Sequence, residues 1–354
     1  MEHRLIVSVS PHIRSAEDTR SIMCKVIAAL LPVTIYAVIV FGLSAVWVLA
    51  ASVTGALLGE AAMQKGRRMP LTLGDCSALL TGLLLALTLP AHLPWWIALI
   101  GGAVATVLAK GMFGGLGHNI FNPALVGRAV VFVSWASYMT GSYAVNRAAE
   151  AAAGRPVVSI GLANTAAHNA LQRAVDVVNG ASPLAAMKVV YDPVGALAVP
   201  AVQASNYYKP LLLANPWGCM GEVSALLLLL SGLYLIAAKV IDWRIPVAYV
   251  GTVAALSALA GRDPLFYVLA GGLLLGAFFM ATDYVTSPIS RRGKVIFGAG
   301  LGLTTFLLRF WSNNPEAVMF SILFMNALVP LIDRYLLPRP YGWVKKGKEG
   351  RAEA

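Results

Sequence analysis

Charge is what this chain has least of. Only 12% of its 354 residues are Asp, Glu, Lys or Arg, about half the usual share of a soluble domain, which is roughly 25%. With 58% hydrophobic residues and a mean hydropathy of +0.73, that shortage excludes a soluble globule and leaves a polytopic membrane protein. Cysteine is scarce: Cys24, Cys76 and Cys219 are far apart in sequence, and no pair has iron–sulfur or zinc spacing. Histidine is scarce too, and His3, His12, His92, His118 and His168 show no ligand spacing, so no metal or haem site is expected. Basic residues outnumber acidic ones, 27 to 16, but they are scattered among short loops without a basic domain, so membrane topology explains them and nucleic acid is not an expected partner.

What is abundant is apolar sequence in blocks. Ten segments stand out against the ~20 residues that cross a bilayer as helix. The first five are about 22–41, 44–63, 76–89, 93–112 and 123–139. The second five are about 218–239, 245–259, 264–282, 295–310 and 315–337. The first run lacks a small-residue cleavage site and is followed by many others, so a removable signal peptide is not expected.

Charge asymmetry sets the expected orientation. With the amino terminus inside, the inner loops collect Lys65, Arg67, Arg68, Lys110, Lys239, Arg244, Arg291, Arg292, Lys294, Lys345, Lys346 and Lys348, whereas the short outer loops hold only Arg262 and Arg309. The predicted plan is therefore all-α: a cytoplasmic amino-terminal segment at 1–21, a first five-helix block at 22–139, an outer insert at 140–217, a second five-helix block at 218–337 and a basic cytoplasmic tail at 338–354. Long loops translocate largely regardless of charge, so the basic residues of the insert do not oppose an outer location.

The two blocks resemble each other. Thr81-Gly82-Leu83-Leu84-Leu85-Ala86 reads like Gly271-Gly272-Leu273-Leu274-Leu275-Gly276, and Asn122-Pro123 reads like Asn314-Pro315, at offsets of 190 and 192 residues. Because each block has five spans, the copies must be inverted relative to one another, as in many transporters. Each Asn-Pro pair suits a helix start, with asparagine as N-cap and proline at the first helical position. Leu89-Pro90 after the third segment and Thr286-Ser287-Pro288 after the eighth are predicted stops, and matched short helices point to a site at the interface of the repeats.

Two stretches carry more than hydrophobicity. The insert contains Asp176-Val177-Val178-Asn179-Gly180-Ala181-Ser182-Pro183, in which Ser182 offers an unhindered hydroxyl behind two small residues. These residues are also good turn formers, so a plain surface turn accounts for them equally well. Near the inner face, Gly114-Gly115-Leu116-Gly117-His118-Asn119-Ile120-Phe121-Asn122-Pro123-Ala124 combines close-approach glycines with His118, Asn119 and Asn122. It lacks the lysine and hydroxyl residue of a phosphate loop. It reads either as a tight inner loop with a capped helix, or as the lining of a flavin or quinone pocket or a contact for a neighbouring subunit.

Both stretches resemble signatures of one family. Asp176-x-x-Asn179-Gly180-Ala181-Ser182 is similar to the flavin-attachment motif Asp-x-x-Ser/Thr-Gly-Ala-Thr of the RnfD/NqrB family, the flavin-carrying membrane subunits of Rnf electron-transport complexes and of the sodium-pumping NADH:quinone reductase, with Ser182 in place of threonine and Asn179 in place of a hydroxyl residue. The glycine run matches that family's Gly-His-Asn-x-Phe-Asn-Pro-Ala, and Ser10-Pro11-His12-Ile13 resembles the amino-terminal pattern of its Rnf members. The resemblance implies FMN joined by a phosphoester to Ser182 by a flavin transferase, and a second, non-covalent flavin such as riboflavin between the helices. It also implies a bacterial inner-membrane complex with further membrane and periplasmic subunits, one carrying another flavin. That complex would couple ferredoxin or NADH oxidation to transport of Na⁺ or H⁺.

Lys25, Glu60, Asp75, Arg128, Glu222 and Asp283 are the ionisable groups expected at membrane depth, mostly close enough to span ends to reach the interface. Asp75 and Asp283 flank the glycine–leucine segments and are the foremost candidates for moving an ion. A redox-free inverted-repeat channel or secondary transporter, similar to urea transporters, would share the broken helices but would have no use for an esterified hydroxyl.

Overall fold

The computed structural model describes residues 18–140, 205–213, 219–311 and 317–336. Among them there is no strand, and all ten apolar segments contain helix. The chain is an all-helical polytopic membrane protein. Helices α1 (Thr19–Phe41), α2 (Leu43–Gly66), α12 (Arg291–Trp311) and α13 (Ala317–Leu336) are long and apolar enough to cross a bilayer. The others are shorter: α3 (Ser77–Thr88), α4 (Trp95–Val104, running on as a π-helical stretch at Ala105–Gly111), α5 (Pro123–Ser134), α6 (Ala136–Thr140), α7 (Ser205–Leu213), α8 (Ala225–Ala237), α9 (Arg244–Leu259), α10 (Pro264–Leu269) and α11 (Leu273–Leu275, continuing through Gly276–Met280).

Local chemistry accounts for the boundaries. Asp18, Asn122, Ser224 and Asp263 cap helix starts with their side-chain oxygens, and proline follows Asn122 and Asp263 at the first helical position. Between α1 and α2 a single residue, Gly42, turns the chain at φ +73° and ψ −151°, a conformation open to glycine alone. Helix α3 stops where Leu89-Pro90 predicts, at the extended residue Leu89.

Two segments depart from the sequence expectation. The eighth is interrupted at Ala270-Gly271-Gly272, where both glycines have positive φ, and its second half ends at Met280, before Thr286-Ser287-Pro288. The fifth breaks at Trp135 into α5 and α6.

Within each block the closest packing joins the second helix to the fourth. A Cβ on Gly102 of α4 would lie 2.8 Å from the Ala56 nitrogen of α2, and Gly55 meets the Leu99 backbone in return. In the second block, Gly298 and Gly302 of α12 approach α9 in the same way, 2.8 Å from the Ile245 carbonyl and 2.9 Å from that of Tyr249. Small residues let backbones touch where lipid removes the hydrophobic drive between helices. The blocks meet through α1 against α8, α5 against α13, and the Met220–Glu222 turn, whose Met220 N–H donates to the Leu89 carbonyl at 3.1 Å. Phe132 and Phe320 add an edge-to-face contact across the same seam at 6.2 Å. From the insert, α7 docks on the second block: Leu211 is buried, Tyr208 donates to Asp263 and Ser224 to the Leu212 carbonyl.

Candidate functional site

The glycine run builds a polar seat between the blocks. Gly114, Gly115 and Gly117 all take positive φ, folding the loop so that Asn119 and Asn122 are buried while His118 stays exposed against Gly114. Asn122 caps α5 through its oxygen and donates its amide to the Met280 carbonyl of the second block at 3.2 Å. Its backbone N–H, at 3.1 Å, goes to the side-chain oxygen of buried Asn326 on α13; the Asn326 amide donates to the carbonyls of Thr286 and Ile322. Asp283 accepts from Thr286 at 3.2 Å, from Asn119 and from the N–H groups of Tyr284 and Val285. Asn119, Asn122, Asp283, Thr286 and Asn326 thus form one cluster joining the two halves of the chain. The sequence singled out Asn119 and Asn122 together, in the glycine run, and Asp283 apart from them. It missed Asn326, which stands alone in an apolar helix and carries no spacing signal.

A second polar site lies at the break of the eighth segment. Arg309, buried on α12, donates to the carbonyls of Tyr267, Ala270 and Gly271 and so satisfies the orphan acceptors at the end of α10. Side chains at Gly271 and Gly272 would collide with Arg309 and Glu222 respectively, both at 2.8 Å. A cavity between the blocks is lined there by Thr88, Arg128, Cys219, Glu222, Gly271 and Gly272, with Arg128 donating to the Cys219 sulfur at 3.3 Å. Arg309 is therefore not the outer-loop charge that the topology assigns it.

The first block holds a third polar group. Lys110 is buried, not in a loop: its ammonium meets Glu60 at 2.6 Å and Ser77 Oγ at 2.6 Å, and Ser77 Oγ donates to Asp75 at 2.6 Å. Gln64 donates to Glu60 at 3.1 Å and to Thr72 at 2.8 Å. Glu60 and Arg128 are buried instead of reaching the interface. No group of three or more His, Cys, Asp or Glu side chains suited to a metal occurs among the described residues. Asp176, Asn179, Gly180, Ala181 and Ser182 lie outside the described residues.

The pattern of the NQR2, RnfD, RnfE family matches residues 6–342. This chain belongs to that family. It is 40% identical over 351 residues to the D subunit of the Na(+)-translocating ferredoxin:NAD(+) oxidoreductase complex of Acetobacterium woodii, covering 99% of each chain. To the D subunit of the proton-translocating ferredoxin:NAD(+) oxidoreductase complex of Clostridium ljungdahlii it is 39% identical, over 95% of this chain and 96% of that one. The D subunit of the ion-translocating oxidoreductase complex of Stutzerimonas stutzeri is 43% identical, over 95% of both. As a member of the NQR2, RnfD, RnfE family the chain therefore spans its relatives from end to end, including the insert that holds Ser182.

Proposed function

We propose that this protein is the D subunit of an ion-translocating ferredoxin:NAD oxidoreductase complex, an oxidoreductase subunit that acts only with its partner subunits. The observation that carries the reading is end-to-end similarity to chains bearing that name. It is joined by the attachment-like run Asp176 to Ser182 in the insert. In this reading Ser182 carries FMN through a phosphoester on the periplasmic side of the bacterial inner membrane, both termini are cytoplasmic, and the ten helical segments form two inverted five-helix repeats. The matched glycine packing of α2 on α4 and α9 on α12 supports the repeat. A flavin would supply one- and two-electron redox chemistry, while the protein sets its position and surroundings.

In the same reading a second, non-covalent flavin such as riboflavin would bind near the polar seat between the blocks. In this structure the Asn119 amide and the Thr286 hydroxyl donate to Asp283, so a flavin ring edge would have to take over those bonds. Asn122 and Asn326, whose side chains are spent on backbone groups, hold that seat together. Coupling to ion movement would fall to charges inside the helical body, the buried pair of Glu60 with Lys110 and the half-buried Glu222, which lines the same cavity as Arg128. Which ion moves does not follow from these residues; the relatives' names include both Na⁺ and H⁺.

The test is covalent flavin on the chain made together with its flavin transferase. Wild type should give a fluorescent band on a denaturing gel and a peptide containing Ser182 heavier by one esterified FMN; Ser182→Ala should give neither. An unmodified wild-type peptide under those conditions would overturn the covalent assignment and favour a redox-free transporter.

A further inference from the structure

Cys24 and Cys76 are separated by 52 positions, yet the fold brings them together. Cys24 is exposed in the second turn of α1, and Cys76 is half-buried at the start of α3, with the two Sγ atoms 4.0 Å apart. The remaining cysteine, Cys219, is buried against Arg128, away from the pair. Cys76 also has φ +62° and ψ +7°, a left-handed conformation that favours glycine and that a side chain occupies only at a cost. Its sulfur faces Cys24, the Gly74 carbonyl lies 3.8 Å away, and the charges of Arg20 and Asp75 are also close enough to act on the thiol. Rotation about Cα–Cβ alone moves a sulfur by more than the roughly 2 Å that separates this distance from a disulfide bond.

We infer that Cys24 and Cys76 form a reversible dithiol–disulfide pair that ties the start of α3 to α1 when the protein meets an oxidising low-molecular-weight disulfide. The thiolate of Cys24, the more exposed, attacks one sulfur of the small disulfide and expels the first thiolate. The thiolate of Cys76 then attacks the Cys24 sulfur in the mixed disulfide and expels the second. The protein loses two electrons and two protons, and the small disulfide becomes two thiols. The link closes a loop around α2 and fixes together α1 and α3, which both pack on the Met220–Glu222 turn of the second block.

The experiment uses the full-length chain in isolated membranes, treated with oxidised glutathione and then alkylated with a maleimide of 5 kDa after denaturation. Wild type should lose two of its three alkylatable thiols together, and digestion should give one linked peptide pair containing Cys24 and Cys76, two hydrogens lighter than the sum of its parts. Dithiothreitol should restore both thiols. Cys76→Gly, which relieves the positive φ and is expected to fold, should leave Cys24 only as a stable mixed disulfide with glutathione. Independent glutathionylation of both residues in wild type would overturn the inference. So would protection from alkylation that needs added Cd²⁺ and is reversed by EDTA, since it would make the pair a metal site.

Discussion

Burial of an ion pair is costly at the scale of single residues, and Glu60–Lys110 shows how the chain meets that cost. Both groups sit among α2, α3 and α4, where Gln64, Ser77 and Asp75 extend the pair into a hydrogen-bonded row, although Glu60 Oε2 has no partner. Removing one charge strands the other. Lys110→Met should therefore destabilise the protein by about 3–5 kcal/mol, and Glu60→Gln combined with Lys110→Met should recover most of that loss. Thermal unfolding in detergent, followed by size exclusion after heating, checks both; equal losses in the single and double variants would contradict the ion-pair account. The sequence alone placed Lys110 in an inner loop because it follows an apolar run. A carboxylate 50 positions earlier became its partner only when α2 and α4 packed together.

Among the elements, the broken eighth segment shows glycine used for space as well as for φ. Gly271 and Gly115 both have positive φ, but a Cβ at Gly271 would strike Arg309, whereas one at Gly115 meets nothing within 4 Å. Gly271→Ala should cost about 2–4 kcal/mol, strain plus collision, and Gly115→Ala only about 1–2 kcal/mol of strain. The same unfolding assay separates them, and equal shifts would mean that Arg309 gives way freely. Arg309→Leu should release the three carbonyls at the end of α10 and destabilise more than Arg309→Lys, which keeps one donor group in reach. Sequence pattern reveals a Gly-Gly pair and therefore a weak point. It does not reveal the arginine, 38 residues later, that holds the break open.

At the scale of the whole molecule, a charged tie joining α8, α9 and α12 contributes to the response to pH. Asp242, between α8 and α9, is pushed up by partial burial, but the Arg244 backbone N–H and the Lys294 ammonium, with the Arg244 charge, hold its carboxyl below the usual range. A carboxylate with a lowered folded-state pKa contributes stability that is present above its unfolded value, near pH 4, and is lost as pH falls through the folded one. The group is partly exposed, so the contribution is below about 1 kcal/mol. Wild type should lose a small increment of stability on acidification below about pH 4 that Asp242→Asn does not show. An unchanged difference between the two from about pH 7 to about pH 3 would remove Asp242 from the pH response.

The sequence by itself determined the solvent, the helices and the family, because scarce charge, runs of apolar residues and capping pairs such as Asn122-Pro123 act locally or sum along the chain. The tertiary structure alone decided which buried polar groups meet: Asn122 with Asn326, Lys110 with Glu60, Arg309 with the end of α10. Each partner lies tens to hundreds of positions away, and in a medium without water a buried donor must find its acceptor wherever packing places one.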